Sequence, residues 1–144
     1  MRKQNIISKS VAETQRFAGL LAKSLAPREK GAVVIGLEGD LGSGKTTFAQ
    51  GFAKGLGVKE KILSPTFLIY RVYGFSRSYF FHVDCYRLKG PKELLALSWK
   101  EIIANPKNVV IVEWAERVKK ILPKNTLWVS LEHAGQKQRK ITTH

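Results

Sequence analysis

The chain has 144 residues, 44% of them hydrophobic and 25% charged, which is typical of an ordinary globular protein with one domain over residues 1–144. Its 25 Lys and Arg against 11 Asp and Glu give a net charge of +14, which favours either a polyanionic partner such as RNA or a merely solvated surface. A single cysteine, Cys85, excludes an internal disulfide. The basic N-terminus lacks the apolar core of a signal peptide, and no apolar run approaches the ~20 residues that a membrane span needs. We therefore expect a cytoplasmic protein with no membrane partner.

The first predicted elements frame a glycine-rich loop. Apolar residues recur on one face of a helix over about 11–26, which Pro27 ends. A β-branched run over 32–39 predicts a buried parallel strand, and an apolar spacing of four predicts a helix over 45–56. Strand, glycine-rich loop and helix in this order are the setting of a phosphate-binding loop.

The remaining pattern predicts the rest of an α/β sheet. Two aromatic and β-branched runs, 67–73 and 78–84, are separated by a short turn and predict an antiparallel hairpin. The later elements are a helix over 91–103, a strand over 108–114, a short helix over 115–121, a strand over 126–132 and a further strand at the basic end. Together they predict a three-layer P-loop NTPase domain, with a mostly parallel sheet, an antiparallel hairpin and helices on both faces.

Residues 39–48, GDLGSGKTTF, fit the phosphate-loop pattern G-x-x-x-x-G-K-[ST]. Its glycines let successive N–H groups point at phosphate oxygens, and the dipole of the following helix favours the same anion. Lys45 is expected at the β- and γ-phosphates, and the Thr46 hydroxyl on Mg²⁺. The residues predicted to hold the nucleotide phosphates are Asp40, Leu41, Gly42, Ser43, Gly44, Lys45, Thr46 and Thr47. Without an N-K-x-D motif for guanine, ATP is the expected nucleotide.

A phosphate loop needs a carboxylate at a strand end to hold Mg²⁺ or to order the attacking water. Glu113 and Asp84 both end apolar runs, and each is either such an acid or a solvated strand end. Thr66 is either a loop hydroxyl at the γ-phosphate or a turn residue. His82 shares a strand face with Asp84, where it either positions water or an acceptor, or is a structural histidine. Trp114 is either core or contact surface.

Four blocks in fixed order, GDLGSGKTTF, SPTF, HVDCYRL and VIVEWAER, resemble the TsaE (YjeE) family. That family is the small ATPase of bacterial tRNA threonylcarbamoyladenosine (t6A) synthesis. The likeness runs from about residue 10 to 132, nearly the whole chain.

The resemblance implies a role for each matching position. Asp40 to Thr46 would hold the ATP phosphates, Thr46 and Glu113 would bind Mg²⁺, and Asp84 would sit at the γ-phosphate as a metal-linked or water-ordering acid. The predicted catalytic residues are thus Lys45, Asp84, Glu113 and the switch-loop residue Thr66.

Further positions follow from the same resemblance. The segment from Ser10 to Thr14, with Glu116 or Arg117, would lie near the base and ribose. Arg139 resembles the arginine that the family carries near its last strand. Family members act with the transferase TsaD and its companion TsaB. They bind that pair and hydrolyse ATP as part of its turnover.

The chain departs from the family pattern at a few places. Cys85 stands where leucine is usual, and Ser98 replaces a common glycine. Arg71-Val72 and the lysine-bearing segment 89–94 occupy positions that are usually acidic. Apart from Cys85, these positions lie outside the phosphate site, so they concern the partner surface rather than the ATPase.

The leading hypothesis is an ATPase subunit of the tRNA-modifying assembly, slow when alone, with tRNA close by through the complex. A small-molecule P-loop kinase, with Asp84 as base for a substrate hydroxyl, is the first alternative. A nucleotide-gated RNA-binding module, suggested by the +14 charge, is the second.

Overall fold

The structure is a computed structural model that describes residues 3–25, 29–65 and 68–144. Its strands are β1 (Gln4–Ser8), β2 (Val33–Glu38), β3 (Tyr70–Phe75), β4 (Ser78–Asp84), β5 (Asn108–Glu113), β6 (Leu127–His133) and β7 (Arg139–Thr143). Its helices are α1 (Val11–Ser24), α2 (Lys45–Leu56), α3 (Pro91–Leu95), α4 (Trp99–Ala104) and a 3₁₀ helix (Ala115–Ile121). Every helix in these ranges is too short or too polar to span a bilayer.

All seven described strands form one sheet in the order β1-β7-β6-β2-β5-β4-β3. Parallel pairing joins β6, β2, β5 and β4, while β3 pairs with β4 as the predicted antiparallel hairpin. β1 and β7 add two antiparallel pairings at the other end, so that β1 points the same way as the parallel strands. The mostly parallel α/β sheet is therefore confirmed, and its central strands bring their carboxyl ends to one edge.

Helices cover both faces of this sheet. Side chains alternate along β2, so Val33, Ile35 and Leu37 pack beneath α1 and α2, while Val34 belongs to the core on the opposite face. Trp99 of α4 and the 3₁₀ helix close that opposite core. The three predicted layers result from this alternation, because each strand buries apolar side chains on both of its faces.

The two helices on the first face approach each other closely at glycines. A Cβ on Gly51 of α2 would lie 2.4 Å from both the Cα and the carbonyl oxygen of Gln15 in α1. A Cβ on Gly55 would lie 2.4 Å from the carbonyl oxygen of Gly19. Only glycine permits this separation, and Ser10 and Thr14 near the start of α1 lie beside the phosphate loop that starts α2.

Several predicted elements need correction. The helix expected over 91–103 is two helices, because Ser98 takes a left-handed conformation with φ +64° between them. The sequence does not predict strand β1, because QNIIS is short and half polar and its one pairing partner, β7, lies at the other end of the chain. The further strand at the basic end is confirmed as β7. The first helix ends at Ser24, and Pro27, expected to end it, lies outside the described residues.

Candidate functional site

The phosphate loop between β2 and α2 requires glycine at both ends. Gly39 has φ +150°, and a Cβ there would lie 2.3 Å from the carbonyl oxygen of Leu131 on β6. Gly44 has φ +103° and immediately precedes the first turn of α2. Both conformations are open to glycine and strained for other residues. Between them the backbone of Ser43 donates to the carbonyl of Asp40 at 3.0 Å, which closes the turn.

Lys45 places its ammonium group inside this loop. Its Nζ donates to the carbonyl oxygens of Gly39 at 2.6 Å and Asp40 at 2.9 Å, and lies 4.0 Å from the centre of the Trp114 ring. The residue is 5% exposed. Burial lowers the pKa of Lys45, whereas four nearby carboxylates, with Glu113 the strongest, act in the opposite direction. The cation therefore sits between the loop and a group of acids.

Thr46 and Glu113, the two residues expected to hold Mg²⁺, touch each other. The Thr46 hydroxyl donates to the carboxylate of Glu113, 3.1 Å from each oxygen, and Glu113 is 3% exposed. His82 lies on the other side of the same carboxylate, with Nε2 at 2.5 Å from Oε2 and no exposed surface. The structure thus joins three side chains from α2, β5 and β4.

Asp84 ends β4 directly beside Glu113 in the parallel register. The backbone N–H of Tyr86 donates to its Oδ1 at 2.9 Å. Partial burial raises the pKa of Asp84 and the neighbouring Glu113 raises it further, although the Tyr86 N–H opposes both effects. The two strand-end acids therefore lie side by side at the carboxyl edge, where the sequence predicts them, and they differ in burial and in hydrogen-bond partners.

Loop and acids enclose a cavity of about 340 Å³. It is lined by Leu41, Gly42, Gly44, Lys45, Thr46, Thr47, Ser64, Asp84, Tyr86, Glu113 and Trp114. Across the described ranges, no three His, Cys, Asp or Glu side chains converge to hold a metal ion by themselves. A hydroxyl and one or two carboxylates nevertheless fit Mg²⁺, which commonly takes few protein ligands and completes its shell with phosphate oxygens and water.

A second cavity, of about 430 Å³, lies on the other side of the loop. It is lined by Ser10, Val11, Thr14, Gly42, Gly44, Thr47, Gln136, Lys137 and Arg139. Ser10 caps α1 by accepting from the Glu13 N–H, and the Thr14 hydroxyl pairs with Ser8 at 2.7 Å. Arg139 donates from a terminal guanidinium nitrogen to the carbonyl of Gly42 at 3.2 Å. Three predicted nucleotide residues, Ser10, Thr14 and Arg139, are thus brought together around the loop.

Glu116 and Arg117 lie elsewhere, beside the acids. The Arg117 guanidinium donates to the Tyr86 carbonyl and lies 5.3 Å from the ring centres of both Tyr86 and Trp114. Glu116 is close enough to Lys45 to influence its pKa. The structure does not bring this pair to the second cavity, so its assignment to the base and ribose stays a prediction. Thr66 lies outside the described residues.

Two aromatic residues at the site are not assigned to it from the sequence: Tyr86 is not singled out, and Trp114 stays either core or contact surface. Tyr86 and Trp114 pack with their ring centres 5.1 Å apart, and both line the loop cavity. Trp114 has φ +58°, a left-handed conformation that is strained for a bulky residue and that turns the chain sharply after Glu113. The position of Trp114 directly after a strand-end acid was the available signal, but no spacing rule predicts such a turn.

Comparison with known proteins gives this arrangement a family. The family model described as "Threonylcarbamoyl adenosine biosynthesis protein TsaE" matches residues 8–141. The chain is similar to the TsaE proteins of Bacillus subtilis (39% identity over 90% of this chain and 78% of the relative) and Treponema pallidum (37% over 94% and 96%). It also resembles the crystal structure of Bacillus subtilis YdiB, with a TM-score of 0.75, 32% identity and coverage of 99% of this chain and 84% of the other. The chain belongs to the TsaE family, whose model and relatives are named for threonylcarbamoyladenosine biosynthesis.

Proposed function

We propose that the chain binds ATP with Mg²⁺ at the loop cavity and hydrolyses it. The contact between Thr46 and Glu113 carries this proposal, because it brings a hydroxyl from the loop and a strand-end carboxylate to one point. A hydroxyl and an acid in this relation are the usual protein ligands of Mg²⁺ at a phosphate loop. The metal, when bound, neutralises charge on the β- and γ-phosphates.

The other side chains have separate roles in the proposed reaction. Lys45 and the loop N–H groups stabilise charge on the transferring phosphoryl group. Asp84, next to Glu113, orients the attacking water or reaches the metal through water. Arg139 and the start of α1 shape the second cavity, which receives the base and ribose on the far side of the loop.

The reaction serves tRNA modification. Membership in the TsaE family assigns the chain to t6A biosynthesis, and we propose homologues of TsaD and TsaB as its partners. Arg117 and Arg139, beside the two cavities, are both engaged by backbone carbonyls. We therefore expect slow hydrolysis by the isolated chain and faster hydrolysis once the partner proteins reorganise the site.

The test is an ATPase assay of the purified chain, alone and with the matching TsaB–TsaD pair, with Glu113→Ala as the inactive control. We expect little activity alone, a gain with the pair and loss in the variant, with free phosphate as the product. Brisk turnover by the isolated chain would contradict the need for partners. Transfer of phosphate to a metabolite instead of water would favour a kinase, in which Asp84 acts as a base toward a substrate hydroxyl.

A second candidate function, RNA contact, is favoured by the distribution of charge. Two adjoining hollows of about 670 and 570 Å³ lie along the outer face of α1 and α2, away from the loop. Their basic lining residues are Arg16, Lys23, Lys54, Lys59 and Lys61, against the single acid Glu60. Such a row suits the phosphate backbone of RNA, whose binding weakens steeply with salt.

The test is tRNA binding at two salt concentrations, with and without ATP. Charge reversal at Lys23 and Lys54 together should weaken binding and flatten its salt dependence, while the matched double reversal of Lys92 on α3 and Lys100 on α4, on the opposite layer, should change it little. Equal effects of both variants would mean that charge acts without a defined surface. Absence of binding even at low salt would remove this candidate and leave the ATPase proposal untouched.

A further inference from the structure

His82 is fully buried at the site, as Ser43 of the loop is, and it has one hydrogen-bond partner among the described residues. It has no exposed surface, and its ring stacks on Phe80 with the ring centres 6.3 Å apart. Nε2 lies 2.5 Å from Oε2 of Glu113, while Nδ1 has no hydrogen-bond partner among the described residues. Glu113 is therefore the single hydrogen-bond partner of this buried ring among the described residues.

The chemistry of the pair determines where the proton lies. An ionised carboxylate accepts hydrogen bonds and donates none, so Nε2 must carry the proton toward Glu113. Whichever charge the ring carries, Nε2–H is therefore the donor to Oε2, and Nδ1 has no hydrogen-bond partner among the described residues.

The two contacts of Glu113 act on its carboxylate from different sides. Thr46 donates to both oxygens at 3.1 Å, so by itself it leaves the carboxylate free to tilt. His82 contacts Oε2 alone, from the neighbouring strand β4. With Oε2 contacted by both His82 and Thr46, Oε1 has Thr46 as its one hydrogen-bond partner among the described residues.

We propose that His82 is a positioning residue that holds the Glu113 carboxylate through Nε2–H in the orientation that binds Mg²⁺, and so couples metal binding to nucleotide binding. This inference rests on the proposed function of the site. Groups that orient metal ligands typically contribute 10- to 100-fold to metal affinity. A merely structural buried histidine would instead affect folding and leave the coupling between metal and nucleotide unchanged.

Two substitutions separate the nitrogens of the ring. In His82→Gln the amide nitrogen is as many bonds from Cα as Nε2, so the donor to Glu113 is kept. In His82→Asn the amide nitrogen matches Nδ1 and cannot reach Glu113. Both replacements are neutral and polar, and they differ in donor position and by one methylene group, so each is the matched control of the other.

The experiment measures the affinity of a fluorescent ATP analogue in EDTA and in saturating Mg²⁺ for each protein. We expect the gain in affinity from Mg²⁺ to fall about 10- to 100-fold in His82→Asn and to stay within a few-fold of the wild type in His82→Gln. Affinity in EDTA, which depends on the loop and Lys45, should be similar for all three. A full gain in His82→Asn would overturn the proposal.

A measurement on the unmodified protein covers the case in which a variant does not fold. The ¹⁵N–¹H spectrum of the histidine rings should show His82 protonated at Nε2 with slow proton exchange. A ring protonated at Nδ1 alone would overturn the proposal. A wild-type protein whose nucleotide affinity ignores Mg²⁺ would instead contradict the proposed function, and with it the inference.

Discussion

Thr46 and Glu113 lie 67 positions apart in the chain, yet the threonine hydroxyl is 3.1 Å from both oxygens of the glutamate carboxylate. The contact forms because α2 packs on the sheet face to which Glu113 belongs, directly above the carboxyl end of β5. The start of the helix that follows the phosphate loop is thereby tied to the strand-end acid. The proposed binding of Mg²⁺ depends on this pair.

Glu113→Gln removes the charge of this acid and keeps its shape. The amide oxygen still accepts from Thr46, so we expect the fold to persist while Mg²⁺-dependent ATP hydrolysis falls at least about 100-fold, because even the outer partners of metal ligands contribute 10- to 100-fold. The measurement is steady-state ATPase activity with the partner pair. Glu132→Gln, an exposed acid on β6, is the control and should keep full activity. Near-normal activity in Glu113→Gln would place the metal elsewhere.

Gly51→Ala tests the close approach of α1 and α2. Alanine ordinarily stabilises a helix interior by about 1 kcal/mol over glycine. Here the added Cβ would lie 2.4 Å from the Gln15 backbone, so overpacking should lower the free energy of unfolding by about 1–3 kcal/mol instead. For a protein of this size each kcal/mol shifts the melting temperature by about 2–4 °C.

Gly74→Ala is the matched control for this experiment. A Cβ at Gly74, on the edge strand β3, meets no atom within 4 Å. Its melting temperature should stay within about 2 °C of the wild type. A Gly51→Ala protein as stable as the wild type would mean that the helices separate without cost.

Cys85 should be chemically inert in the folded protein. Burial, with a smaller contribution from Asp84, raises the pKa of its thiol from 9.0 to about 12, so at pH 8 only about one molecule in 10⁴ carries the reactive thiolate. We expect its reaction with a disulfide reagent such as DTNB to be at least about 1,000-fold slower than in the unfolded chain. Measured rates in buffer and in guanidinium test this. Comparable rates would indicate an accessible thiol.

The same shift links Cys85 to stability at high pH. Between pH 9 and about 12 the unfolded chain has lost this proton and the folded chain has not, so the free energy of unfolding falls as pH rises, by up to about 1.4 kcal/mol per pH unit. Below pH 9 the contribution of the thiol is constant. Urea unfolding of the wild type and of Cys85→Ala at pH 8 and pH 10.5 isolates it, since lysines and tyrosines titrate in both. Equal pH dependence would refute the linkage.

Arg139→Lys tests the second cavity. Lysine keeps the charge and loses the planar fork that reaches the Gly42 carbonyl, so the loop should lose a charge-assisted hydrogen bond. We expect ATP affinity to fall about tenfold, with little change in melting temperature. Calorimetric titration measures the affinity, and Arg77→Lys in the β3–β4 turn is the control. An unchanged affinity would remove Arg139 from the nucleotide site.

The site residues that are adjacent in sequence could be predicted well from the sequence. GDLGSGKTTF carries its own phosphate-binding geometry, since glycine conformations and a helix start are local properties. Asp84 and Glu113 could also be placed, because the carboxyl ends of parallel strands meet at one edge of a sheet whatever their separation in the chain. Ser98 shows the limit of such rules, since its left-handed conformation splits the predicted helix and no pattern in residues 91–103 indicates it.

By itself, the sequence determined the α/β class, the phosphate-loop pattern and two candidate strand-end acids, because each is encoded in a short, local run of residues. The tertiary structure alone decided which side chains touch. It placed His82 against Glu113, Arg139 against Gly42, and Glu116 and Arg117 beside the acids instead of the second cavity. Such contacts join separate elements, and their distances depend on how whole helices and strands pack, which no local pattern specifies.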